Sequence, residues 1–443
     1  MLLAPIALAA AAAAPTMTDV FHRQQTDSAN VSYFCFRIPA LVRAKSGALL
    51  AFAEGRRLNC DDAGDVRIVR RISHDEGATW SVIDQVKVEE GHTIGNPCPI
   101  VDLLTGEVHL LYSRDNRQIF VTRSSDGGIS WGPSTNLTDT LALQLDPANA
   151  FAATGPPGGI QLEASGRLVG ALYYNGLNGT ATLTKSAAIF SDDHGTTWQK
   201  GADVQTSMMP LPNASSVVYG GGESQVARYA GGGAEGLVML SRVRGDFPPP
   251  PPRGATGGVR ASEPNAVDHN HATAISTDGG QTWTPASLLH ATSSYCEGSI
   301  ATVGAMTLLS APSTTNGGRA NLTVWAAKLE AGSIAADLAS ATSIYAGAAA
   351  YSSLLAGKQL GTVLSLFERD NDPYVPRNLT LASFAVPQGA EKLTAEPPPR
   401  GAPEATPPTI TPPAKTPKTP PTKTPPTMTP PLKRRFQQLR RRQ

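Results

Sequence analysis

Its 443 residues are enough for two or three average domains or for one large all-β core, so length alone excludes neither arrangement. Lys+Arg 37 against Asp+Glu 36 leaves a formal net charge of +1, which excludes a global field drawing the protein to nucleic acid or an anionic membrane; recognition of a charged partner must be local. The four cysteines, Cys35, Cys60, Cys98 and Cys296, show no Cys-x-x-Cys or Cys/His spacing, which argues against a structural zinc site.

Residues 1–17 read as a secretory leader: an uncharged run rich in Leu and Ala, too short to span a bilayer, with small residues before Pro15. No transmembrane segment is expected. Acceptor sequons at Asn30, Asn136, Asn178, Asn213, Asn321 and Asn378 agree with a secreted or lumenal life, the lysosome and Golgi included.

From residue 18 to 390 the sequence shows turn-separated strand patterns and no convincing amphipathic helix. Strands are expected over 38–42, 48–54, 108–112, 118–122, 167–173, 186–190, 224–229, 237–243, 271–275, 299–311, 321–326 and 361–367. Cys35 lies two residues before Arg37, leading into the first of these, and Cys60 immediately precedes Asp61. Both therefore belong near one pocket, either bridged or as buried free thiols.

One octet occurs four times, as Ser73-x-Asp75-x-Gly77-x-Thr79-Trp80 and again at Ser124–Trp131, Ser191–Trp198 and Ser276–Trp283. Its chemistry suits a hairpin: Ser and Asp oxygens accept turn N–H groups, Gly supplies positive φ, and Trp packs the returning strand. Repeated strand clusters with a fixed turn imply a β-propeller, because each blade buries its faces only against its neighbours. Spacings of 51, 67 and 85 between equivalent Asp residues require loops of varying length between blades. A proline run opens a Pro/Gly-rich insertion over 247–270, which reads as a loop. Residues 391–443, rich in Pro, Thr and Lys, read as a disordered tail.

Phe36-Arg37-Ile38-Pro39 together with the four octets, known as Asp boxes, resembles the exo-α-sialidase (neuraminidase) family across most of 18–387. The resemblance implies a six-bladed β-propeller and a retaining exo-α-sialidase acting on terminal sialic acids of glycoproteins, glycolipids or oligosaccharides. It implies no cofactor and no metal. A sialic acid carries a carboxylate on its anomeric carbon, and guanidinium groups match that planar anion by bidentate pairing. Arg37, Arg242 and Arg319 match the family's three arginines, with Arg244 a rival for the second. Tyr351, followed by Ser352, matches the tyrosine nucleophile, and Tyr345 competes for the place. Glu223 matches the carboxylate that takes the tyrosine's proton. Asp61 resembles the general acid/base, with adjacent Asp62 the alternative. Glu368 resembles the residue that orients the first arginine. Arg56 resembles a further substrate-contacting arginine, a surface ion pair being its plainer reading. Two other functions use much of this set: a non-catalytic sialoglycan-binding propeller, which needs only the arginines, and a trans-sialidase.

Overall fold

A computed structural model describes residues 13–178, 181–205, 209–210, 217–229, 233, 235–245, 270–314, 318–330, 333–370, 376 and 378–387. Most of the expected leader, the insertion up to residue 269 and the whole tail from 391 lie outside them. Among the described residues every regular element is a strand.

The chain opens with β1 (Thr16–His22). The first sheet follows, with β2 (Cys35–Arg43), β3 (Leu49–Arg56), β4 (Val66–Ser73) and β5 (Asp84–Lys87) in sequential order. The second repeats that meander with β6 (Ile94–Val101), β7 (Val108–Arg114), β8 (Gln118–Ser124) and β9 (Thr135–Asn136). In the third, β10 (Ala152–Thr154) and β11 (Ile160–Gln161) both flank β12 (Leu168–Asn178), which leads to β13 (Ala181–Ser191) and β14 (Gln199–Asp203). The fourth holds β15 (Met209–Pro210), β16 (Val217–Arg228), β17 (Leu237–Gly245), β18 (His271–Ser276) and β19 (Ser287–Leu288). The remaining strands are β20 (Ser299–Val303), β21 (Met306–Pro312), β22 (Ala320–Glu330), β23 (Ser333–Ala356), β24 (Thr362–Arg369) and β25 (Asn378–Ala385). With β1 they form one seven-stranded sheet, β1-β25-β24-β23-β22-β21-β20.

The fold is an all-β propeller in which four blades stand as separate sheets, where six were expected. The departure has one cause. β23 runs for 24 residues and changes partner along its length, pairing with β22 over 333–348 and with β24 over 349–356, so the last strands are continuous. The expected strand over 299–311 is instead the hairpin of β20 and β21, turned at Gly304 with φ of 60°.

Propeller packing shows in β3, all of whose residues are buried. Alternate side chains of a strand face opposite ways. Leu49, Ala51 and Ala53 join a cluster with Leu364, Leu366 and Leu381 of the last sheet, while Leu50 and Phe52 pack with Val108, Leu110 and Tyr112 of the second. Neither face is left for water. Each octet lies between the last two strands of its sheet, where it closes a turn. The Ser73 hydroxyl accepts the Gly77 amide at 2.8 Å, and the Asp75 carboxylate accepts the Thr79 amide and hydroxyl at 2.8 and 2.6 Å. Gly77 sits at φ of +87°, with Leu381 of the last sheet against its Cα.

Neighbouring blades are also joined by buried Asp102, in the β6–β7 turn. Its carboxylate accepts the amides of Leu104 and Thr105 and the side-chain amide of Gln161, and it meets His194 Nδ1 at 2.6 Å. Burial pushes its pKa up, but the His194 bond and the amide donors win and lower it to about 2. A depressed carboxylate pKa stabilises the fold above the unfolded-state value of about 3.9, and that stabilisation is lost as pH falls through the folded-state pKa. Asp102→Asn should therefore cost about 2 kcal/mol in denaturant titrations at neutral pH. The gap to the parent should narrow toward pH 2, whereas a pH-independent gap would show that ionisation at Asp102 is not the source.

Candidate active site

The site grows from irregularities in the strands that line the ring. Pro39 has no N–H to give the ladder, and β2 bulges between Arg37 and Ala40, with Ile38 at φ of 52°. A β-branched residue held in that region costs about 1–3 kcal/mol, so something must hold it there. Glu368 of β24 does so. It accepts the Ile38 amide at 3.1 Å and grips Arg37 in a fork, Nε at 3.0 Å and Nη2 at 3.3 Å. Glu368 is completely buried and Arg37 nearly so.

The device recurs around the ring. β6 bulges at Asn96, φ 54°, whose amide donates to Glu54 Oε1 of β3 at 2.8 Å; Glu54 Oε2 in turn accepts Arg56 Nη2 at 2.6 Å. β23 bulges at Tyr351, φ 36°, whose amide donates to Cys296 Sγ, and the next amide, Ser352, donates to Glu297 Oε2 at 2.8 Å. Each bulge frees backbone donors, and a side chain from an adjacent part of the ring accepts them.

Arg37, Arg242 and Arg319 converge on Tyr351. The Arg37 and Arg319 guanidinium carbons lie 5.0 and 5.5 Å from the centre of its ring. Arg242 donates to Glu223 Oε2 at 2.6 Å and stacks over Tyr295 at 3.8 Å. The Tyr351 hydroxyl donates to Glu223 Oε1 at 2.5 Å. Glu223 thus joins the phenol to an arginine. Burial raises the Tyr351 pKa well above its ordinary value, Glu223 adds to the rise, and Arg242, Arg319 and Arg37 only partly oppose it. The phenol is therefore protonated. Burial disfavours charge on Arg37 and Arg242 as well, yet Glu368 beside the first and Glu223 beside the second raise both pKa values.

The loop between β3 and β4 gives the two candidate aspartates different partners. Asp61, expected to face the site, turns away: its carboxylate accepts Asn59 Nδ2 at 2.6 Å and its amide donates back to Asn59 Oδ1 at 3.1 Å. Asp62 faces inward instead. Its Oδ1 lies 2.9 Å from Arg56 Nη1 and 3.3 Å from Arg37 Nη1, while its side chain stays 81% exposed at the mouth of the site. The packed protein around the mouth pushes the pKa of this exposed carboxylate up, but the guanidiniums of Arg56 and Arg37 outweigh that and hold it below the usual carboxylate range. The local Asn59–Asp61 exchange, a competition that short polar side chains commonly win, decides which aspartate turns in.

Cys35 and Cys60 form a disulfide, with their Cα atoms 5.9 Å apart, and Cys98 and Cys296 are buried free thiols. Arg56 is no surface residue: it is buried, with Glu54, Asp62 and the Cys60 carbonyl as partners. Tyr345 is remote from the cluster in bonding, its hydroxyl donating to Asp370. Sequence reasoning missed Glu54, Tyr295 and Glu297. Glu54 carried a signal, two residues before Arg56 on one face of a strand. Glu297 carried none. Burial raises its pKa well above the ordinary value, so it is neutral. Among the described residues no group of three or more His, Cys, Asp or Glu side chains is placed to hold a metal ion.

Comparison with known proteins gives a consistent family. Residues 47–246 match the BNR repeat-like domain and residues 274–285 the BNR/Asp-box repeat. Sialidase-2 of Mus musculus is 30% identical over 285 residues, 53% of this chain and 71% of that protein. Sialidase-4 of Homo sapiens is 30% identical over 317 residues, 65% of this chain and 57% of that one. An exo-alpha-sialidase of Arthroderma benhamiae is 33% identical over 173 residues, 32% of this chain and 41% of that one. The match thus spans about half the length of several curated relatives. Among solved structures, an intramolecular trans-sialidase from Ruminococcus gnavus superposes with a TM-score of 0.61 at 16% identity, over 86% of this chain and 99% of that one. At that identity the likeness concerns the fold.

Removing the Glu368 carboxylate would strand the buried Arg37 guanidinium and the Ile38 amide together. Glu368→Ala should lose about 3–5 kcal/mol in chemical denaturation, the cost of breaking one side of a buried ion pair. Glu368→Gln, which keeps an acceptor, should lose less. Equal midpoints for parent and Glu368→Ala would contradict the pairing.

Proposed function

The chain belongs to the sialidase family, and from that premise we propose that it is a retaining exo-α-sialidase that hydrolyses terminal sialic acids from glycoproteins, glycolipids or oligosaccharides. One observation carries the reading: a buried phenol donates to a carboxylate within a ring of three arginines. The substrate carboxylate would bind Arg37, Arg242 and Arg319 by the paired N–H geometry that suits planar anions. A neutral nucleophile can approach an anomeric carbon that bears this charge, where an ionised Asp or Glu would be repelled. As Tyr351 attacks, Glu223 takes its proton, so no free phenolate has to exist beforehand.

Asp62, not Asp61, is the proposed acid/base. It protonates the leaving oxygen and, in the second half-reaction, activates the water that releases the sugar with net retention. Glu54 and Glu368 hold Arg56 and Arg37 in place. In this reading the continuous sheet counts as two blades that share β23, one built on 333–348 and one on 349–356, which brings the ring to six. The Cys35–Cys60 bridge and the six sequons support work in an oxidising, secreted or lumenal compartment.

Tyr351→Phe and Asp62→Asn should each lower kcat/KM on sialyllactose by about 10²–10⁴-fold, the range for a lost nucleophile or acid/base, while Asp61→Asn stays near the parent. Full activity in both variants would sink the mechanism. Release of no sialic acid by parent protein would leave the sialoglycan-binding reading, and sialylated acceptor as the main product would indicate a trans-sialidase. Asp62 is also expected to set the pH dependence. Because the free site holds its pKa low, the acid form is scarce at neutrality, and kcat/KM on sialyllactose should fall as pH rises from about 4 to 7.

A further inference from the structure

We infer that the Cys35–Cys60 disulfide is a positioning device for Asp62, and that its reduction disables acid assistance to the leaving group while leaving the rest of the site in place. This inference rests on the sialidase reading above. Cys35 begins β2, two residues before Arg37, and is completely buried. Cys60 sits half-buried in the β3–β4 loop, two residues before Asp62. The bridge therefore ties the loop tip to the strand that carries an arginine bonded to Asp62.

The loop's other bonds divide into two sets. Its base is held without the disulfide: the Arg57 amide donates to the Asp65 carbonyl at 3.1 Å, Arg57 and Arg67 pair with the Asp65 carboxylate, and the Gly64 amide donates to Thr93 Oγ1 at 3.0 Å. The tip depends on the bridge and on bonds to Arg56, which donates to the Cys60 carbonyl at 2.6 Å and to Asp62 Oδ1 at 2.9 Å. Substrate changes that balance. Its carboxylate competes with Asp62 for Arg37, so the bound state has fewer electrostatic tethers on the tip than the empty one. The covalent tether persists through the reaction. Arg37, Arg242, Glu223 and Tyr351 sit on strands and are held by Glu368, by one another and by Tyr295, so this part of the site does not need the bridge.

A dithiol can enter through half-buried Cys60. Its thiolate attacks the sulfur, the S–S bond breaks, both protein sulfurs end as thiols after taking up protons, and the dithiol departs as a cyclic disulfide. Cys98 and Cys296 are already reduced and buried, so they do not take part.

Leaving-group dependence provides the test. A sialoside of a nitrophenol departs without a proton, whereas sialyllactose needs one, so loss of the acid alone separates the two substrates. Full-length oxidised enzyme, enzyme treated with dithiothreitol, and the Cys35→Ala/Cys60→Ala double variant should be assayed on both, with circular dichroism and thermal melts alongside. For the reduced and double-variant forms we expect kcat/KM, which reports only the step that forms the covalent intermediate, to fall about 10²-fold on sialyllactose, the low end of the range for general-acid loss, and to change less than about twofold on the nitrophenyl sialoside. Removal of the dithiol and reoxidation should restore the reduced enzyme. Equal losses on both substrates, or no loss on either, would overturn the inference. If the oxidised parent cleaves neither substrate, the sialidase reading fails first and takes this one with it.

Discussion

Glu368 binds two things at once, a bulged backbone amide and a buried guanidinium, and the site depends on that double contact. Without the carboxylate, Ile38 loses the acceptor that holds it at positive φ, and Arg37 is left with exposed Asp62 as its counter-charge. Glu54 repeats the arrangement, with the Asn96 amide on one oxygen and Arg56 on the other. Glu297 fills the amide-accepting role beside Tyr351 as a neutral acid. Folding and recognition therefore use the same atoms. A carboxylate that satisfies a neighbouring strand also aims the cation that would meet the substrate.

Charge balance follows from this construction. Arg37, Arg56, Arg242 and Arg319 crowd into a small volume, and Glu54, Asp62, Glu223 and Glu368 stand among them. Pairing removes much of the cost of burying like charges. The pairs are unequal in strength of hold. Glu368 and Glu54 grip from behind and stay buried, whereas Asp62 stands at the open mouth and can give way to an incoming anion. An anionic sugar would thus displace the weakest counter-charge, which is also the one the proposed chemistry needs free.

Much of this was legible in the sequence because it is written in local chemistry. The octets announced their turns through Ser, Asp, Gly and Trp at fixed spacing, and Arg37 stood out beside Pro39, which forces the ladder to break. Tyr351 was legible only through its resemblance to a known family, since the strand beneath it is not: β23 is rich in alanine, which strands disfavour, and neighbours on both sides override that preference. The choice between Asp61 and Asp62 turned on a side-chain exchange with Asn59 that residue types alone do not rank. Glu297 and the Ser352 amide it accepts lie 55 positions apart. No local pattern encodes them.

Arg37 and Glu368 are separated by 331 positions, and β1 is paired to β25. On a ribosome, the chain delivers its first arginine long before the carboxylate that will hold it. Strand β1 likewise emerges with no partner and must wait for the final strand before its edge is covered. Early sheets can form their hairpins as they appear, but the ring has an open seam until residue 385 is available. Until then Arg37 lacks its Glu368 partner. Assembly of the binding site thus waits for the last strands of the propeller, and a product truncated before Glu368 would carry most of the sheets without the grip on Arg37.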